Sequence, residues 1–219
     1  MNLSLHPKRN SAITLLDLLI VLFILAVMFA VLSRPFIMEK RKAQRERCLN
    51  NLKQVGLSFA VWSGDHGDNF PTFVSETNGS PMDFDSGPNA WRHFRILSNE
   101  LSTPRILFCP AESEGRRSIA SNFTAFNNSN VSYFVGLVAN GSDSKKLLAG
   151  DHNITNGIPP NNGILELTAN RYGGWTSEMH KREGNLSFAD GSVMTAGNIN
   201  LRRDIAVTTN RLLMPILAP

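Results

Sequence analysis

Apolar residues are spread unevenly along this chain. The densest run is Ile13–Leu32, ITLLDLLIVLFILAVMFAVL, twenty residues interrupted by one charge, Asp17. At about 1.5 Å per residue such a helix is roughly 30 Å long, the thickness of a bilayer core. A secretory signal has a shorter apolar stretch, followed by a small-residue cleavage site. This run is longer and lacks such a site at its end, so it is expected to be a retained span, closed by Arg34 and Pro35. From Phe36 to about Ser63 the pattern becomes amphipathic. Cys48, Leu52, Val55, Phe59 and Trp62 recur at helical spacing, widened by Leu49 and Gly56, while Arg45, Glu46, Asn50, Lys53 and Gln54 lie opposite. The helix is therefore expected to continue, kinked at Pro35, with its apolar stripe against a globular layer. Gly67 and Pro71 end it.

Beyond residue 71 the pattern predicts short elements: a helical piece at Trp91–Leu97, strands at Arg105–Cys109, Val131–Leu137 and Lys146–Gly150, and a final helix over Asn198–Asn210. Asn185–Phe188 and Ser192–Thr195 flank Ala189-Asp190-Gly191, a hairpin turn. The expected fold class is α+β, with a long N-terminal helix packed on a small antiparallel sheet. The expected divisions are 1–12, 13–34 (span), 35–64 (amphipathic continuation) and 65–219 (β-rich domain).

Composition changes this picture little. Of 219 residues, 18% are charged and 42% hydrophobic, with a net charge of +4. The basic residues cluster beside the apolar run and no aromatic-basic motif accompanies them, so no nucleic-acid partner is expected. Cys48 and Cys109 do not form a CxxC, which argues against a zinc site. In an exported domain a disulfide between them is chemically permitted, and two separate buried thiols remain the alternative. There is no serine elbow and no HExxH, so no catalytic residues and no cofactor are expected.

Lys8-Arg9-Asn10-Ser11-Ala12-Ile13-Thr14-Leu15-Leu16-Asp17-Leu18-Leu19 resembles the leader of prepilins, in which basic residues and a small residue precede an apolar residue, Thr, Leu, an apolar residue, Glu, Leu and Leu. Here Ala12 stands where that family usually has Gly, and Asp17 where it has Glu. The resemblance implies cleavage between Ala12 and Ile13 by a membrane prepilin peptidase, and N-methylation of Ile13. It also implies that Asp17 pairs with the new α-amine of a neighbouring subunit, setting register in a filament through self-association and contact with other pseudopilins. The implied location is the inner membrane, single-pass, with the N-terminus cytoplasmic and the C-terminal domain extracytoplasmic. Charge counting points the other way, because Lys40, Arg41, Lys42, Arg45 and Arg47 outnumber Lys8 and Arg9. The leader pattern is the more specific of the two signals.

A second resemblance lies near the C-terminus. His180, nine intervening residues and Asp190-Gly191 are similar to the signature of a prepilin-processing-associated, pseudopilin-like family, as are Asn51–Leu57 following Cys48, and Phe108-Cys109-Pro110. Physically, Asp190 and Gly191 suit a tight turn that His180 could bond from the preceding segment. A metal site of His180, Asp190, Asp151 and His152 is the sharper alternative, although its spacing matches no standard zinc pattern. The expected function is a pseudopilin or pilin-like structural subunit of a type II secretion-like or type IV pilus-like filament. The alternative is a membrane-anchored extracytoplasmic ligand-binding domain.

Overall fold

The computed structural model describes residues 14–74, 84–112, 115–140, 143–198 and 209–217. The leader, with Ala12 and Ile13, lies outside them. Helix α1, Leu15–Asp65, runs without a break through both the apolar run and the amphipathic stripe. It opens with Thr14 as its cap. The Thr14 hydroxyl accepts from the Asp17 backbone N–H at 3.3 Å, and the Asp17 carboxylate accepts from the Thr14 N–H at 3.0 Å. This reciprocal pair satisfies two amides that a helix start otherwise leaves open. Two compact units follow from the chain's contacts, Met1–Lys40 and Arg41–Pro219, so the helix from Arg41 onward belongs with the sheet.

In the first unit, Leu15–Leu32 is long and apolar enough to cross a membrane, and none of it is buried. In the second, Cys48, Leu52, Val55, Phe59 and Trp62 are all buried, as their spacing predicts, against Phe94, Leu97, Leu107, Tyr133 and Val135. Arg45 departs from the expected solvated face, because it makes an ion pair with Glu183. α1 ends where His66 stacks on Trp62, ring centroids 3.6 Å apart.

The strands are β1 (Tyr133–Gly136), β2 (Leu147–Asp151), β3 (Ile154–Thr155), β4 (Ile164–Leu167), β5 (Gly174–Trp175), β6 (Glu183–Phe188), β7 (Val193–Gly197) and β8 (Asn210–Leu213). Six form an antiparallel sheet in the order β4-β8-β1-β2-β6-β7, and β3 pairs with β5. Alternation along β1 sends Tyr133 and Val135 to the helix side and Phe134 to a second core with Leu147, Leu165, Trp175, Leu186 and Leu212. Both faces of the sheet are thus covered. Two glycines permit close approach: a Cβ on Gly136 would overlap the Leu147 carbonyl, and one on Gly184 would enter the Trp175 ring.

The expected helix near Trp91 is α2 (Ala90–Ile96), followed by the short α3 (Ser98–Leu101). One expectation fails. Arg105–Cys109 is no strand: Pro104 opens a 3-10 turn over Pro104–Leu107, with the Thr103 hydroxyl accepting from the Arg105 N–H. Proline's fixed φ suits a first helical position, and this outweighs the β-favouring run after it. At the C-terminal end, Asn210 starts strand β8 rather than ending a helix, and 199–208 lie outside the described residues.

Candidate functional site

Four distant parts of the chain meet beneath the extended stripe of α1. Cys48 comes from the helix. Cys109 follows the 3-10 turn, held along α1 because Asn51 donates to the Phe108 carbonyl at 3.3 Å and Gln44 to the Pro110 carbonyl at 2.9 Å. The two cysteines form a buried disulfide, with Cα atoms 5.2 Å apart. Asp151 ends β2, and His180 lies on the loop before β6.

That loop is pinned by Asn153, whose amide donates to the carbonyls of Thr176, Met179 and Glu183 at 3.1 to 3.3 Å. Within it His180, Lys181 and Arg182 all have positive φ, at 45°, 55° and 66°. Each such non-glycine residue costs on the order of 1–3 kcal/mol and persists only where the surroundings impose it. What the strained turn achieves is the placement of the His180 ring. Its Nε2 lies 3.3 Å from Cys109 Sγ, 3.4 Å from Asp151 Oδ2 and 3.5 Å from Asn185 Nδ2.

The electrostatics follow from burial. Desolvation raises the Asp151 carboxyl to about 7, even though the Asn185 backbone and side chain both donate to its Oδ2. Desolvation, helped by the Arg45 charge, lowers His180 to about 4. Across the 3.4 Å contact, burial thus disfavours the charged form of both groups, holding the imidazole toward neutral and pushing the carboxyl toward its protonated form. The other oxygen, Asp151 Oδ1, is buried without a hydrogen-bond partner.

Beside the cluster, His152 Nε2 meets the Glu112 carboxylate at 3.0 and 3.1 Å, with Arg117 Nε 3.5 Å from the same group. Burial alone would raise Glu112, but the hydrogen bond and charge of His152, with Ser132 and Arg117, outweigh it and leave the carboxyl below its usual range. A cavity of about 250 Å³ opens at His180, bordered by Arg41, Gln44, Arg45, Glu112 and Lys181.

The expected bond from His180 to the hairpin turn is not made. His180 precedes β6 and Asp190 follows it, so six strand residues separate them, roughly 20 Å of extended chain. Asp190 instead accepts from the Ser192 N–H at 2.9 Å, which lowers its carboxyl, and Gly191 takes φ 79° to complete the turn. The expected metal set likewise divides: His180 and Asp151 meet, His152 turns to Glu112, and Asp190 lies with the turn. Asn185 and Tyr133, buried within the cluster, carried no signal in the sequence beyond their place in apolar strands. The Thr14–Asp17 box was readable, since a Thr three residues before an acid at the head of an apolar run is a capping pattern.

No family model, curated protein or solved structure matches this chain.

Proposed function

We propose that this chain is a pilin-like structural subunit, processed after Ala12 by a prepilin peptidase and assembled with copies of itself or with other pseudopilins through the apolar half of α1. The observation that carries the reading is the contrast within one helix. Leu15–Leu32 is uniformly apolar and buries nothing in its own chain, while the stripe from Cys48 to Trp62 is buried under an antiparallel sheet. An apolar surface of that length requires lipid or other helices around it. Asp17 reinforces the reading, because an acid is costly in such a place unless a partner compensates it.

The test is made in a host with an active prepilin peptidase. Mass spectrometry is expected to find a mature chain beginning with N-methylated Ile13, and sheared filaments are expected to contain it. A chain that keeps Met1 while another prepilin in the same cells is processed would overturn the reading.

A second reading, a membrane-anchored ligand-binding domain, is favoured by a groove of about 620 Å³ between Arg116, Arg117, Ile154, Ile158 and Pro215. It requires ligand binding without polymer, so the filament assay separates the two.

A further inference from the structure

We infer that Cys48, Cys109, His180 and Asp151 form a redox-gated binding site for a zinc-type divalent cation, closed while the two cysteines are joined and opened when they are reduced. The ligand atoms of Cys48, Cys109 and His180 lie within 4.8 Å of one another and come from three separate elements. Asp151 Oδ2 adds an oxygen 3.4 Å from His180 Nε2.

A tetrahedral zinc ion with ordinary bond lengths sets its sulfur and nitrogen ligands about 3.6 Å apart, its nitrogen and oxygen ligands about 3.4 Å and its two sulfurs about 3.8 Å. The structure already has sulfur to nitrogen at 3.3 Å and nitrogen to oxygen at 3.4 Å. The sulfurs must separate, which breaking their bond permits, and the Asp151 carboxylate, outside the group of three ligand atoms that lie within 4.8 Å of one another, must turn toward them. Two thiolates, an imidazole and a carboxylate are the donor set that favours zinc over the harder cations.

Two further observations point to a ligand. Asp151 is fully buried, and its Oδ1 has no hydrogen-bond partner. The three consecutive left-handed residues at 180–182 hold the imidazole against the sulfurs at a conformational cost. A disulfide sulfur carries no hydrogen, so the 3.3 Å contact with Cys109 gives His180 no donor. A cation facing the same Nε2 would replace whatever proton the ring shares with Asp151.

The opening step is a thiol–disulfide exchange with a dithiol reductant. The reductant gives two electrons and two protons to the Cys48–Cys109 bond and is itself converted to a disulfide. The two thiols then lose their protons as the cation binds, and Asp151 loses any proton it holds.

The test uses the full chain in detergent, once oxidised with diamide and once reduced with a phosphine that is then removed, both under argon. Each is titrated with Co²⁺ and then with Zn²⁺ against a chromophoric chelator. The reduced chain is expected to bind one Co²⁺ with the visible d–d bands and near-ultraviolet thiolate charge transfer of a tetrahedral site, displaced by Zn²⁺. The oxidised chain is expected to show neither. His180→Ala and Asp151→Asn, each checked for native near-ultraviolet circular dichroism, are expected to weaken binding by tenfold or more. Equal binding by the two redox forms would overturn the inference. So would thiolate bands of undiminished affinity in His180→Ala, since the cysteines would then be binding alone.

Discussion

The two halves of α1 differ in how their apolar residues are distributed and have opposite surroundings. Phe23 is 71% exposed and Phe59 is 0% exposed, yet both sit in one unbroken helix. In Leu15–Leu32 apolar residues cover every side, so no face is set apart for a partner within the chain. In Cys48–Trp62 they return every three or four residues, and a sheet covers that stripe. Hydrophobicity alone therefore does not say where a residue will be buried; its angular distribution does. The halves also differ in how each handles an acid. Asp17 is exposed and satisfied by its own helix start, whereas Asp151 is buried under the second half with one oxygen unsatisfied.

The comparison is broken most directly by truncating matched aromatics. Phe59→Ala is expected to cost about 3–5 kcal/mol, the usual range for an aromatic lost from a core. Phe23→Ala is expected to change the same unfolding free energy by less than about 0.5 kcal/mol. Tryptophan fluorescence of the full chain in detergent reports this, because Trp62 and Trp175 are both buried. Comparable losses in the two variants would mean that the apolar half is packed against the sheet unit after all.

Next in size is the covalent tie of the second half. Cys48 and Cys109 are 61 residues apart in sequence, so the cross-link is expected to contribute about 4 kcal/mol by limiting the unfolded chain. Cys48→Ala combined with Cys109→Ala should lower the melting temperature strongly in metal-free buffer and leave membrane association unchanged. Equal melting of oxidised and double-mutant chains would show that α1 needs no tie to the sheet.

Much of this architecture was legible before any coordinates. The stripe of α1 carried a helical period, β1 and β2 stood out as short apolar runs, and the β6–β7 hairpin was marked by its Asp190-Gly191 turn. The strand expected at Arg105–Cys109 failed because one proline and a threonine cap overrode five β-favouring residues. β3 and β5, at two residues each, are too short to carry a sequence pattern and owe their state to each other's pairing. The site was far less legible. His180 drew attention for its spacing from Asp190, ten positions later, but the fold turns it toward residues 71 and 29 positions earlier. No spacing rule joins Cys48, Cys109, Asp151 and His180, because each arrives on a different element.

Acidity sharpens the contrast between the two acids. Asp151 moves from an ordinary 3.8 to about 7 on folding, so the folded chain holds the extra proton between those values. Its burial penalises folding above pH 7, and that penalty disappears as the pH falls toward 4. His180 and His93 run the other way. Each is lowered from 6.5 to about 4 by burial, so each costs stability as the pH falls through that range. In the wild type these opposing slopes partly cancel. Asp151→Asn removes one side, so the variant should lose stability on acidification from pH 7 to 4 by a few kcal/mol more than wild type. Denaturant titrations at pH 4, 5.5, 7 and 8 measure this, and parallel curves would mean that Asp151 is ionised in the folded chain.

The smallest effect separates two accounts of Asp17. As half of a capping pair it serves its own helix, and its counterpart is Thr14, whose N–H and hydroxyl both donate to Asp17 Oδ2 at 3.0 and 2.9 Å. As a register group it serves a neighbour's amine, and Thr14 is incidental. Thr14→Val removes the hydroxyl and keeps the charge; Asp17→Asn keeps an acceptor and removes the charge; Asp17→Glu keeps the charge on a longer arm. If capping is the whole role, Thr14→Val should fray the helix start at least as much as Asp17→Asn, read by amide exchange of residues 15–18 in detergent, and filament yield should follow fraying across all three variants. If the neighbour's amine is the partner, filament yield should fall with Asp17→Asn, survive Thr14→Val and survive Asp17→Glu, whatever the exchange rates do. We expect the second pattern. The cap acts at the first turn and contributes nothing further along the helix, whereas an unpaired amine in an apolar bundle burdens every subunit that is added.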